Sequence, residues 1–125
     1  MKLLIDSNAF IWAYSRPMEL SSAARQALAD ADNDRFVSIA ALWEIAIKVS
    51  TRKLVLKDDV RRAMDHLALE LLPITLPHAR RVEHLPWLHR DPFDRMMIAQ
   101  AMEDGLTIVT RDRSFDAYGV SLLKA

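Results

Sequence analysis

A chain of 125 residues, half of them hydrophobic, has the length of one domain and buries roughly two-thirds of its unfolded surface, so residues 1–125 are expected to fold as a single unit. The absence of cysteine excludes a disulfide scaffold, thiolate zinc centres and a cysteine nucleophile. Lysine plus arginine balance aspartate plus glutamate at 17 each, which excludes bulk charge as the means of holding a polyanion; a nucleic-acid partner would need local arginines or a bound metal to attract it.

The opening Met1-Lys2-Leu3-Leu4-Ile5-Asp6 is apolar for only three residues before a charge. It is too short for a signal peptide or a membrane span, and the expectation is a cytoplasmic protein without a membrane partner. Leu3–Ile5 reads as a strand buried on both faces. Ser7 or Asn8 is the expected cap of a helix through Trp12 and Tyr14, and Ser21-Ser22 starts a second helix with Ala24, Ala27, Leu28 and Ala31 at helical spacing. Phe36–Ile39 is a predicted strand. The helix after it begins near Ala40, with Leu42, Ile45, Ala46 and Val49 as its expected core stripe.

Asp58-Asp59 opens a helix through Val60, Met64, Leu67 and Ala68. Leu71–Ile74 is a predicted strand at a sheet edge, because Pro73 cannot donate to a ladder. Pro77–His84 is a short helix. The clearest helix starts at Asp91-Pro92-Phe93-Asp94, where Asp91 fits the N-cap and Pro92 the first helical position, and it ends at Gly105. Leu106–Val109 and Val120–Leu123 are the last strands. Strands alternating with helices predict an α/β fold around a parallel sheet.

Parallel sheets place their sites at the carboxyl ends of strands, near the switch in strand order. Asp6 ends the first strand and Asp112 follows the Leu106–Val109 strand by three residues, so both reach one rim; each also fits a helix cap or Asx-turn. Glu44 lies off its helix's expected core stripe, beside Ala40, Ala41 and Lys48. Its two readings are an acid with room for a ligand and an i,i+4 pair with Lys48. Asp94 heads the face formed by Met97, Ile98 and Ala101 and so points toward the sheet, where a carboxylate is rarely found unless it is paired or holds a metal. It also falls at the third helical position of a capping box. Four acids at one rim repel one another, and an all-oxygen cluster suits magnesium or manganese. His66, His78, His84 and His89 show no tight ligand spacing, which argues against zinc.

Leu3-Leu4-Ile5-Asp6-Ser7-Asn8, Val37-Ser38 through Leu42-Trp43-Glu44-Ile45-Ala46-Ile47-Lys48, His89-Arg90-Asp91-Pro92-Phe93-Asp94-Arg95-Met96-Met97-Ile98-Ala99-Gln100-Ala101 and Thr110-Arg111-Asp112 with Phe115-Asp116 and Tyr118-Gly119-Val120 resemble, in order and spacing, the acid-bearing segments of VapC-type PIN-domain toxins. The resemblance spans essentially the whole chain. It implies a PIN-like three-layer α/β/α sandwich with a central parallel sheet. It implies a magnesium- or manganese-dependent endoribonuclease, acting on structured RNA such as tRNA or rRNA. It also implies a cognate antitoxin, with a homodimer and a toxin–antitoxin hetero-oligomer as the expected assemblies. Asp6, Glu44, Asp94 and Asp112 carry over as the metal and catalytic acids. Of Asp91 and Asp94, the register with Ile98-Ala99 and the inward direction favour Asp94. Arg111 and Arg113, flanking Asp112, are the candidate substrate-phosphate contacts.

Two other readings fit the size. A phosphorelay receiver needs an acidic pair after the first strand, an aspartate after a central strand and a late internal lysine. Here Asp6 stands alone, Phe36–Ile39 ends without an aspartate and Lys124 is terminal. A catalytically silent PIN-like module binding RNA or protein is the second. No phosphate-binding glycine loop or nucleophile elbow occurs.

Overall fold

The computed structural model describes residues 1–125. Five strands, β1 (Lys2–Ile5), β2 (Asp34–Ser38), β3 (Glu70–Leu72), β4 (Thr107–Thr110) and β5 (Leu122–Lys124), form one sheet. Every pairing is parallel and the order is β3-β2-β1-β4-β5. The helices α1 (Ser7–Ser15), α2 (Ser22–Ala29), α3 (Ile39–Ser50), α4 (Val60–Leu67), α5 (Leu76–Glu83) and α6 (Pro92–Asp104) fill the connections. This is the predicted three-layer α/β/α sandwich. No helix is long and apolar enough to cross a membrane.

The chain lays down β1, β2 and β3 in one direction across the sheet, then returns to place β4 on the other side of β1. The order therefore reverses between β1 and β4, and the crevice outside their carboxyl ends is where parallel sheets bind ligands. Ile5 is in register with both Val37 and Val109, so Asp6, Ser38 and Thr110 align along one edge. The Asp6 amide continues the ladder by donating to Val109 O at 3.1 Å.

The core lies where the apolar runs predict. Leu3, Leu4, Ile5, Ile108 and Val109 are buried in the sheet, with Phe10 from α1, Ile45 from α3, and Met97 and Ile98 from α6. Helix α6 is enclosed from Met97 to Ala101. One polar tie crosses this core: the Ser38 hydroxyl donates to Gln100 Oε1 at 2.6 Å, and Gln100 Nε2 donates to Pro73 O. It fixes α6 against the ends of β2 and β3 without leaving a buried amide unpaired.

Several local expectations are corrected. The cap of α1 is Asp6, whose Oδ1 accepts from Ala9 N at 2.8 Å, and Ser7 is already helical. The strand ends one residue before the helix, so the acid itself reaches the third helical amide. Helix α3 is capped by Ser38 and buries Ala40, Ala41 and Ile45, whereas Ala46 and Val49 face outward. Small alanines let α3 approach α6 closely, and an apolar face this wide does not reveal from sequence which sector turns inward. Strand β3 begins at Glu70 and stops before Pro73, and β5 is displaced to Leu122–Lys124. Two 3-10 helices, Pro17–Glu19 and Arg113–Tyr118, carry too little periodicity to read in advance.

Candidate active site

Asp6 is nearly enclosed at the end of β1. Burial pushes its carboxyl above the ordinary carboxylate range. The Thr110 hydroxyl and the Ala9 amide offset part of that rise, and the Asp112 and Glu44 carboxylates add to it. Asp112, after β4, is exposed and caps the Arg113–Tyr118 3-10 helix by accepting from Ser114 N at 2.9 Å. Its own amide donates to Thr110 Oγ1 at 3.0 Å. Thr110 thus stands between the two acids and takes part in positioning both.

Glu44 is reached through the rotated face of α3. Its side chain is 12% exposed, consistent with the buried alanines on its flank. The Ser7 hydroxyl donates to Oε1 at 2.6 Å, and Lys48 Nζ lies 3.4 Å from Oε2. The i,i+4 pair allowed by the sequence is therefore present, and Glu44 also faces the acidic rim, as its effect on Asp6 and Asp94 shows.

Asp91 and Asp94 separate clearly. Asp91 Oδ1 accepts from Phe93 N at 2.9 Å and Asp94 N at 3.0 Å, so Asp91 is the N-cap of α6. The Asp94 side chain makes no capping-box bond; it is 15% exposed and turns toward the rim. Burial raises its carboxyl to about 6, the His89 hydrogen bond draws it down, and the Asp91 and Glu44 carboxylates push it up.

His89, set aside in the sequence for its spacing, belongs to this site. Its Nε2 lies 2.8 Å from Asp94 Oδ2, and His89, Asp94 and Asp112 present ligand atoms within 4.8 Å of one another. The five-residue separation from Asp94 matches no helical repeat. Only the path of the loop before α6 brings the ring back, so the sole sequence signal was its place in the same segment.

The two arginines diverge. The Arg111 guanidinium lies over the Trp12 ring, 4.3 Å from its centroid, and donates to Glu19 O and Ala125 O. Its guanidinium is thus engaged by Trp12, Glu19 and Ala125 and pairs with none of the four acids. Arg113 is exposed beside Asp112, with no hydrogen bond or ion pair of its own. Trp43, 59% exposed, meets Phe93 edge-on at 5.2 Å; each immediately precedes a site acid, so an apolar patch adjoins the rim.

The donor set is suited to a hard divalent cation. Carboxylate oxygens predominate, two of the acids are held above their ordinary range largely by burial, and only Glu44 has a lysine beside it. A cation among them would relieve both the burial and the mutual repulsion.

Comparison with known proteins identifies the family and the fold. Residues 3–120 match the PIN domain family. Ribonuclease VapC22 of Mycobacterium tuberculosis is 33% identical over 116 residues, covering 89% of this chain and 87% of that protein. The crystal structure of VapBC2 from Rickettsia felis, bound to a DNA fragment from its promoter, shares the fold with a TM-score of 0.75 at 19% identity, covering 98% of each chain. DNA-bound VapBC from Salmonella typhimurium gives a TM-score of 0.69 at 18% identity over 98% of this chain and 97% of that one. A family match over nearly the whole length, together with a VapC relative of this identity, establishes that the chain belongs to the PIN domain family as a VapC-type member.

Proposed function

We propose that this protein is a magnesium- or manganese-dependent endoribonuclease and the toxin of a toxin–antitoxin pair. What supports the reading is the set of groups around the crevice where strand order reverses: Asp94, Asp112 and His89 bring ligand atoms within 4.8 Å of one another, Asp6 feels the charges of Asp112 and Glu44, and Asp94 feels that of Glu44. The ribonuclease name of the Mycobacterium tuberculosis relative supports the reaction class. Asp6, Asp94 and Asp112 would hold the cation, with Glu44 bound to it or facing it. When bound, a divalent cation supplies positive charge at the scissile phosphate and acidifies water there.

The chain's own groups do the rest. Glu44, held by Ser7 and Lys48, orients the attacking water. Thr110 keeps Asp6 and Asp112 in place. Arg113, free at the rim, contacts a backbone phosphate of the substrate. Arg111 would first have to leave Glu19 and the Trp12 ring. Because the net charge is zero, affinity for RNA rests on these local contacts and on the cation; tRNA or rRNA is the substrate class the family resemblance implies.

The partner is a cognate antitoxin. The structural relatives from Rickettsia felis and Salmonella typhimurium were solved as VapBC complexes, and FitAcB from Neisseria gonorrhoeae shares the fold. An exposed Trp43–Phe93 patch beside the acids gives such a partner apolar surface to cover. A homodimer within a toxin–antitoxin hetero-oligomer is the proposed assembly.

The test is RNA cleavage by purified protein with magnesium, with manganese and with excess chelator, beside Asp94→Asn. Cleavage that needs the cation and is lost in Asp94→Asn supports the reading. Cleavage persisting in chelator would overturn it, and no cleavage of any RNA under toxic expression would favour the silent binding module.

A further inference from the structure

The loop Leu85–Asp91, between α5 and α6, has no regular secondary structure. It carries His89 to Asp94 and is held from two sides. From the 3-10 helix that Asp112 begins, the Tyr118 hydroxyl accepts from His89 N at 2.9 Å and Leu88 N at 3.1 Å and donates to Pro86 O at 2.8 Å. From α6, Arg95 is 3% exposed yet has no carboxylate partner. Its guanidinium donates instead to Leu85 O at 3.0 Å and Pro86 O at 2.8 Å, with Val82 O and His89 O at its margin, and it stacks 3.8 Å from the centre of the Trp87 ring.

A buried arginine is normally paired with an acid. Here backbone carbonyls at and just beyond the carboxyl end of α5 compensate the charge, where the helix dipole favours a cation. The same residue begins one turn of α6 beside Asp94, so the clamp and the acid share a rigid element. Leu85 anchors the start of the loop in the core and Tyr118 packs against that core, but the hydrogen bonds of Tyr118 and Arg95 go to the loop backbone from Leu85 to His89. Those bonds also set the imidazole of His89 against one carboxylate oxygen of Asp94, at 2.8 Å.

We propose that His89 is a positioning residue of the acidic site. Its Nε2–H donates to Asp94 Oδ2, fixes the carboxylate's rotation and leaves Oδ1 for a cation, while Tyr118 and Arg95 hold the loop that makes this possible. The inference rests on the metal-site reading of the four acids and adds a residue to it. Partners that orient a ligating carboxylate are typically worth 10–100-fold in metal affinity.

The test is manganese affinity of the full chain, by electron paramagnetic resonance titration, set beside metal-free thermal unfolding. His89→Leu is expected to weaken manganese binding roughly 10–100-fold with metal-free Tm close to wild type. His89→Gln keeps an N–H at similar reach and should recover most of the affinity. Tyr118→Phe should weaken binding in the wild-type background and add nothing in the His89→Leu background, because its effect passes through His89. Should His89→Leu fail to fold, His89→Asn, polar but too short to reach Oδ2, gives the same reading. Wild-type manganese binding that is unchanged in the His89 variants would overturn the proposal. So would His89→Gln as weak as His89→Leu, which would make the imidazole itself the ligand, or a Tyr118→Phe loss that persists without His89. A wild-type protein that binds no manganese would instead defeat the metal-site reading, and this inference with it.

Discussion

Asp91 and Asp94 begin the same helix, yet Asp91 folds back onto the Phe93 and Asp94 amides while Asp94 turns to His89 and the rim. The first is engaged by the backbone and the second by the site. Asp91→Ala should therefore lower stability by about 1 kcal/mol, the usual worth of an N-cap, and keep most cleavage activity. Asp94→Asn should fold normally and lose cation affinity and cleavage. Thermal unfolding with and without magnesium, beside cleavage rates, checks both; an inactive Asp91→Ala with a normal Asp94→Asn would move the ligand to Asp91.

The acidic rim gives a pH dependence of defined sign. Asp94 titrates near 6 in the folded chain, against roughly 3.9 for an unfolded aspartate, and Asp6 is raised as well. Between these values the folded metal-free protein binds protons that the unfolded chain does not. Asp94 therefore adds stability as pH falls from about 6 toward 4, and that contribution is lost as pH rises through 6; the raised Asp6 carboxyl contributes with the same sign. Cation binding runs the other way, because its ligands must be ionised. Manganese affinity should fall by roughly tenfold per unit below pH 6 if one proton is displaced. A titration series from pH 5 to 7.5 that gave a flat affinity would contradict this.

Magnesium or manganese should raise Tm. A cation that binds the folded rim and not the unfolded chain stabilises by mass action, by about 2.7 kcal/mol at a hundredfold excess over Kd. The increment should vanish in Asp94→Asn and in excess chelator. A sodium control at equal ionic strength separates site binding from screening.

Expression without its partner should arrest growth, and co-expression of the cognate antitoxin should restore it. Trp43→Ser, on the exposed patch beside Glu44, should weaken antitoxin binding by at least tenfold, since a central aromatic is commonly worth 2 kcal/mol or more at an interface. Harmless expression of a protein that cuts RNA in vitro would point to a housekeeping nuclease.

A prediction independent of the site concerns the end of α4. Ala68 adopts left-handed backbone, φ 52°, ψ 45°, a conformation that costs an L-residue roughly 1–2 kcal/mol and glycine little. Ala68→Gly, exposed and distant from the acids in sequence, should stabilise by up to about 1 kcal/mol in urea unfolding, with manganese affinity unchanged. A destabilised variant would show that the turn is held by contacts other than its backbone angles.

The sequence by itself determined the α/β fold and the start and stop of α6. Apolar runs of strand length must be buried, proline and glycine punctuate helices in only a few ways, and both signals are local. It also singled out the four candidate acids, because Asp6 and Asp112 lie just beyond strand ends, Asp94 lies on an apolar helical face and Glu44 lies beside two alanines. The tertiary structure alone decided the rest. The order β3-β2-β1-β4-β5 depends on which strands pair, a choice among distant segments that no local pattern encodes. The sector of α3 that turns inward, and with it the depth of Glu44, depends on how closely alanines let two helices approach. Arg111 is engaged because Trp12 and Glu19, some hundred positions earlier, arrive beside it. His89 enters the site because Tyr118 and Arg95, from later elements, bend an irregular loop back on itself. A side chain placed by a loop takes its direction from whatever grips the loop, and that grip is non-local.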